Sequence, residues 1–456
     1  MSVVPGSLET DQQPPMTVPL RHFVLGFAVL LLGIGLGFGI AIGVVPGAAT
    51  LAHLHLLFAG WISLTIMGAM TQFVPVWSGA NIYSRRLATV QLWLVVVGLL
   101  GFAGSLLTGR LSWLHVFGVV MLAGFWAFSY NIGRTLWGLD TYDVTERHFA
   151  IALGFFLLVT ALGYLLALDM LWPLFGESSV ARSNVVAAHA TVAVFGAVLT
   201  TVVGALYQLG TMFTQSELHG IDTHLRRAQE VAYPSGVIIL ATGRLLGISA
   251  LGTVGGTLVA GSLLGVSVIL ARRLYGTQVE WTPMLSRYAV VAPALALWSS
   301  LAVPAWIRDP LASDALLGAP GTSHLLVFGV IGFVVFGTLY HVVPFIIWVH
   351  RYSDQLGFGE VPMIDDLYND RIAVIDSGLL VGSLVLLASN EWMAFSPIVT
   401  GIAGLLAVGG VILFTTNMMN VVLEHSPYSL GGVLFSTVAE RRGDSSEDIE
   451  VGDGPR

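Results

Sequence analysis

The chain of 456 residues contains no cysteine. That excludes disulfides, iron–sulfur clusters, thiolate zinc sites and covalent haem attachment, so any metal or haem must be held by His, Met, Tyr or carboxylate. Lysine is missing too: all 19 basic residues are Arg, against 27 acidic residues and a net charge of −8. A negative balance without lysine fits a high-salt cytoplasm, and we expect a halophilic prokaryotic source; GC-rich codon bias accounts for the missing lysine equally well. The same balance gives no expectation of a nucleic-acid partner. Charge of either sign is scarce, at 10% of residues with 55% apolar, where a soluble chain carries about 25% charged residues. Too little polar surface remains to face water, so the surrounding lipid is the first expected partner.

What is present is a series of long apolar runs, near 22–46, 50–77, 87–108, 112–138, 148–173, 184–213, 229–248, 251–271, 287–307, 322–349, 372–389 and 393–420. Most reach the roughly 20 residues needed to cross about 30 Å of hydrocarbon. The expected fold is therefore an all-α polytopic membrane protein of about twelve spans. The Gly-rich turn between the seventh and eighth runs makes that pair the one most open to miscounting. Residues 1–20, polar and proline-bearing, are expected to be a cytoplasmic tail with no signal peptide. Residues 21–424 form the membrane domain, and 425–456 an acidic, disordered cytoplasmic tail. With an even count, the loops expected inside carry Arg85, Arg86, Arg134, Arg147, Arg226, Arg227, Arg272, Arg273, Arg287, Arg351 and Arg371, whereas the outer loops hold only Arg110, Arg182 and Arg308. The positive-inside rule then places both termini in the cytoplasm. Arg244, near an outer helix end, is expected to snorkel, and the tryptophans to act as interfacial anchors.

The second, sixth and tenth runs can be written over one another as HLHLLFAGWISLTIMGAMTQFVP from His53, HATVAVFGAVLTTVVGALYQLGT from His189 and TSHLLVFGVIGFVVFGTLYHVVP from Thr322. Gly60, Gly196 and Gly329 correspond, as do Gly68, Gly204 and Gly337, with spacings of 136 and 133 residues in both sets. Four residues after the second glycine stand Gln72, Gln208 and His341. Such a period implies three four-helix units, near 21–147, 148–283 and 284–424. Paired small residues also arise simply because they let membrane helices approach closely. The histidines add to the register: His53 and His189 lie seven residues before the first glycine, His55 and His324 five before it.

Ionisable groups inside a membrane are expensive and usually face the bundle interior or a cavity, and neutral imidazole is a standard ligand for haem iron and copper. His53, His55, His189 and His324 are therefore the candidate outer ligand layer. His53 and His55 differ by roughly 200° around a helix, so only one can point squarely at a shared centre, and the sequence leaves that choice open. His341 lies about 25 Å deeper than His324, as part of either a polar cluster or an inner ligand site. His115 borders the outer layer. His22, His148, His219, His224, His350 and His425 read as surface residues at helix ends and loops. Met67, Met70, Met121, Met212 and Met418 are either thioether ligands or core filler. No phosphate loop, dinucleotide fingerprint, Ser-His-Asp set or HExxH motif occurs. Carboxylates look confined to helix ends (Asp169, Glu177, Asp376, Glu424), which argues against a proton pump or ion-coupled carrier.

Twelve helices in three arcs, with histidines at the outer starts of the second, sixth and tenth, resemble subunit I of the haem-copper oxidases. The stretch HLHLLFAGWISLTIMGAMTQFVPVW from His53 is also similar to the second-helix motif of NnrS-type membrane proteins. The resemblance implies haem held by His53 or His55 and by His324, with His189 as a copper or second metal-facing ligand. It implies a prokaryotic plasma-membrane oxidoreductase related to cytochrome oxidases or nitric oxide reductases. Its electron donor would be a quinol, a cytochrome or a cupredoxin, and partner subunits are implied as well. The match departs from the family where no histidine falls within 229–248, where Ala193 stands in place of a tyrosine, and where the tenth run has a single histidine at ligand depth. Those departures leave the copper site incomplete. The competing expectation is a transporter or other non-catalytic protein with structural histidines; a third is a metal site without haem.

Overall fold

A computed structural model describes residues 14–45, 48–175, 180–357 and 360–435. Twelve long helices run through it: α1 (Thr17–Ala41), α2 (Ala49–Ser78), α3 (Arg85–Leu107), α4 (Leu111–Leu136), α5 (Val144–Asp169), α6 (Arg182–Thr214), α7 (Ile221–Leu246), α8 (Ser249–Tyr275), α9 (Pro283–Arg308), α10 (Leu325–Arg351), α11 (Asp370–Met393) and α12 (Pro397–His425). Eleven of the twelve are long and apolar enough to cross a membrane. The exception is α7, which begins earlier than its apolar run and carries Asp222, Arg226, Arg227 and Glu230 in its first turns. The chain is thus a multi-pass helical membrane protein.

Local chemistry sets the helix ends. Ser84 and Asn369 cap α3 and α11 with side-chain oxygens, and Asp143 with Glu146 closes a capping box on α5. The α7–α8 turn depends on Gly247 at φ 68°. Behind it the two backbones nearly touch: a methyl added to Gly255 would lie 2.2 Å from the Leu240 nitrogen, so only a glycine stripe permits this hairpin.

Burial separates an inner ring from an outer one. In α2, α6 and α10, 67, 72 and 78% of the most apolar stretch is buried, against at most 56% in any other span. All three inner helices also widen into a π turn, at Leu56–Ile62, Val192–Val198 and Leu325–Gly332. These turns begin 136 and 133 residues apart, the same spacings as the glycines. The outer glycine of each helix lies in the π turn. The deeper one receives the first helix of its own unit: a methyl on Gly68, Gly204 or Gly337 would lie 2.9, 2.6 or 3.2 Å from the β-carbon of His22, His148 or Arg287. Aromatic rings join the inner helices along the axis, with Trp61 against Phe336 at 4.7 Å, Phe73 against Phe345 at 6.5 Å and Phe213 against His341 at 4.2 Å.

Several expectations need correcting. His22 and His148 are not surface residues; they are buried beneath those glycines. Arg287 is not a loop residue but fully buried within α9, where it pairs with the equally buried Asp376 of α11. A carboxylate therefore does occupy the helical interior, which removes the argument against a relay built on carboxylates. Arg244 does not snorkel: its guanidinium binds the carbonyls of Pro310, Ala315 and Leu316 and the Thr191 hydroxyl, sealing the α9–α10 loop over the bundle. Trp298, Trp306 and Trp348 are core residues instead of anchors. The tail after 425 is not wholly unstructured, since Leu430–Phe435 forms a short helix, α13, that buries Val433 and stacks Phe435 on Trp93 at 5.8 Å. Within the expected N-terminal tail, Thr17–Leu20 already belong to α1 and are buried; residues 1–13 and 436–456 lie outside the described residues, as does Glu177.

Candidate functional site

Two polar levels cross the bundle. The near side is the one where α2, α6 and α10 begin; the far side is where they end.

On the near side, His53 and His189 are seated alike. Nδ1 of His53 bonds the Gly33 carbonyl of α1 at 2.8 Å, and Nδ1 of His189 bonds the Val159 carbonyl of α5 at 3.0 Å. Each ring lies over a glycine of that outer helix; a methyl on Gly37 would come within 2.5 Å of His53 and one on Gly163 within 2.9 Å of His189. His324 turns its Nδ1 to the carboxylate of Glu391 on α11. Among the described residues, His55 bonds the Leu51 carbonyl of its own helix, at 2.8 Å. An imidazole that donates through Nδ1 leaves Nε2 with its lone pair, the form in which it ligates a metal.

The four imidazoles do not form one cluster. His53 is anchored to α1 and His324 to α11. His55 and His189 share the wall of an apolar cavity of about 300 Å³ between α2 and α6. The layer thus divides: His55 and His189 line this cavity, whereas His53 and His324 are not in its wall. That follows from His53 and His55 pointing to opposite sides of α2. The third inter-unit space, between α6 and α9, is filled by Phe195, Trp298 and Trp306, whose rings lie 5.5–5.8 Å apart. Among the described residues no three His, Asp or Glu side chains are grouped to hold a metal ion. His341 is on another level from His189, against the rings of Phe213 and Phe345. His115 packs against Trp172 at 5.8 Å, Met121 lines the cavity, and Met67, Met70 and Met418 are core.

The far side carries a level that the sequence did not disclose. In the second unit, Nε2 of His148 lies 3.1 Å from the Gln229 amide nitrogen, and the Tyr207 hydroxyl donates to the Gln229 oxygen at 3.0 Å. The third unit places Arg287, Asp376 and Tyr340 in the corresponding arrangement: Arg287 and the Tyr340 hydroxyl both donate to Asp376, and Asn417 donates to that hydroxyl at 3.1 Å. In the first unit His22 and Gln91 are in place, but Thr71 stands where the others have tyrosine. There, among the described residues, His22 Nε2 and both Gln91 amide atoms have no hydrogen-bond partner. Gln72, in the same stretch of α2, is likewise buried without one.

Glu391, Gly37 and Gly163 were missed from sequence. Glu391 could have been found as a lone acid near the outer end of a span, since acids commonly orient ligating imidazoles. The seating glycines are invisible among the 53 of the chain. No protein-family model and no curated protein matches the chain.

Proposed function

We propose that this chain is a haem-binding membrane protein with a reduced form of the haem-copper oxidase site, acting in respiratory electron transfer or in the handling of nitric oxide or oxygen. His53 and His324 are the axial ligands. One observation carries the reading: two imidazoles on adjacent inner helices are both fixed through Nδ1 by groups outside their own helix, a backbone carbonyl and a carboxylate. His22, His55, His148 and His350 instead bond a carbonyl of their own helix four residues back.

The residues present fit haem better than a bare ion. Two imidazoles with no third donor suit a metal that brings its own equatorial ligands, whereas zinc or copper needs three or four from the protein. Haem would supply one-electron redox chemistry. Glu391 accepts the Nδ1 proton of His324, fixing its tautomer and raising its basicity. Gly37 gives the His53 ring its seat. The His324 side chain, just before the start of α10, keeps 45% of its surface accessible. We assign no copper. Helix α7 offers no imidazole beside His189, only His224 at its far-side start, and the neighbouring space is occupied by Trp298 and Trp306. The distribution of arginines supports the near side facing outward and the described N-terminal end of α1 facing the cytoplasm of a prokaryotic cell.

The test is a reduced-minus-oxidised spectrum with pyridine haemochrome on purified protein, on His324→Ala and on Glu391→Gln. The expected result is haem in the parent, loss in His324→Ala, and a 10- to 100-fold weaker affinity in Glu391→Gln, as orienting partners typically give. A colourless parent, expressed with haem supplied, would refute the reading.

A further inference from the structure

On the far side, where α6 ends, α7 begins and α8 ends, a polar cavity of about 880 Å³ opens between the three helices. Ser216, His219, Asp222, Arg272 and Arg273 are among the residues in its wall. The two arginines close α8, and the fold treats them differently. Arg272 pairs with Asp222 at 2.7 Å and keeps about half of its side chain exposed. Arg273 is buried, at 4% exposure. Its stem lies against α6, where a methyl added to Gly210 would sit 3.6 Å from its Cδ. Its Nη1 donates to the Ser216 carbonyl. Its Nε and Nη2 have no hydrogen-bond partner among the described residues. The acids nearby are taken: Asp222 by Arg272, while the exposed Glu217 lies 3.8 Å from His219.

A guanidinium stays charged wherever it is placed, and buried donors of a charged group are expensive to leave unmade. Nε–H and Nη2–H leave one edge of the guanidinium side by side, the fork that grips two oxygens of a single phosphate or carboxylate. Turning the end of the side chain about its terminal torsions presents that edge to an anion in the cavity. A second observation is independent of Arg273. Helix α7 starts on the same cavity with no side-chain cap, so the positive end of its dipole is directed there. A carboxylate would spend both oxygens on Arg273, whereas a tetrahedral phosphate keeps others for the start of α7 and the Ser216 hydroxyl. We infer that this cavity binds a phosphate group, gripped by the Nε–Nη2 edge of Arg273 and faced by the start of α7. Tyr275 and Trp281, 94% and 56% exposed beside the cavity, are the aromatics expected at the depth of lipid headgroups. The phosphate therefore comes from a phospholipid headgroup or from a soluble phosphate ester. The inference does not depend on haem.

The experiment is equilibrium dialysis of the full-length, delipidated protein in detergent against radiolabelled inorganic phosphate, at ionic strength held constant with chloride. Native mass spectrometry with added phosphatidic acid forms the lipid arm. The expected result is one saturable phosphate per chain, not displaced by acetate. Arg273→Gln should bind about 10- to 100-fold more weakly, the usual loss when hydrogen bonds to a charged group are removed. Arg273→Lys should also weaken binding, because an ammonium keeps the charge without the fork. Gln278→Glu places a negative charge on an exposed part of the cavity wall and should weaken binding about tenfold by repulsion. Since it alters no buried group, it decides the matter if the Arg273 variants fail to fold. Displacement by glycerol phosphate assigns a soluble ester, and displacement by phosphatidic acid alone assigns a headgroup; either supports the site. A folded parent that binds neither phosphate nor phosphatidic acid saturably overturns it. So does parental binding in Gln278→Glu, or acetate competing as well as phosphate.

Discussion

Replacing Arg287 and Asp376 tests whether the far-side level is one device built three times. The pair is buried to 1% and 0% side-chain exposure, and Arg287 lies 4.2 Å above the Tyr340 ring. Asp376→Ala would strand a guanidinium whose other bonds go to the carbonyls of Pro283 and Ala373 at 2.8 and 3.0 Å, and would take the acceptor from Tyr340. Removing one partner of a buried ion pair costs about 3–5 kcal/mol, because the remaining charge is left uncompensated. The double variant Arg287→His with Asp376→Gln is different. It installs the His148–Gln229 chemistry of the second unit beside a tyrosine that is already in place, and exchanging a buried ion pair for a well-formed neutral set is often close to neutral. We expect the double variant within about 1.5 kcal/mol of the parent and, with each single change costing at least about 3 kcal/mol, a coupling energy of at least about 4.5 kcal/mol between the two sites. The assay is reversible unfolding in mixed micelles, followed by tryptophan fluorescence, on a full double-mutant cycle. A double variant costing the sum of its single changes would refute the equivalence of the two units. So would an Asp376→Ala cost below about 1 kcal/mol.

Two further outcomes follow from buried polar groups. Gln91→Leu should leave stability unchanged or raise it by about 1 kcal/mol, because the fully buried amide has no partner to lose; the same unfolding assay checks the sign. Arg244→Ala should cost about 2–4 kcal/mol through four lost hydrogen bonds, three of them to loop carbonyls then left unpaired. Limited proteolysis should then cut first within residues 309–323.

Much of the fold was legible because lipid imposes its own arithmetic. A backbone in hydrocarbon must satisfy every N–H and C=O internally, so apolar runs of sufficient length become helices, and the glycine spacing marked as equivalent the three helices that the structure places innermost. The errors share one cause. Hydropathy counts a charge near the end of a run as belonging to water, and so Arg287, Asp376 and Arg244 were placed in loops or at the interface. Pairing across helices lets such groups stay buried, and pairing cannot be read from a single run. The same limit applied to the histidines. That His53 and His55 could not share a centre came from the helical period alone. Which neighbour each one faces depended on the packing of α2 against α1, α6 and α10.

The amino-acid sequence by itself determined a lipid-embedded helical bundle, its glycine register and the depth at which the near-side imidazoles enter. The tertiary structure decided their partners: Gly33 and Val159 as carbonyl anchors, Glu391 as carboxylate, and the cavity wall that holds His55 and His189 without His53 or His324. Depth follows from the 1.5 Å rise along one helix. Azimuth and partnership depend on how twelve helices pack side by side, which no single segment encodes.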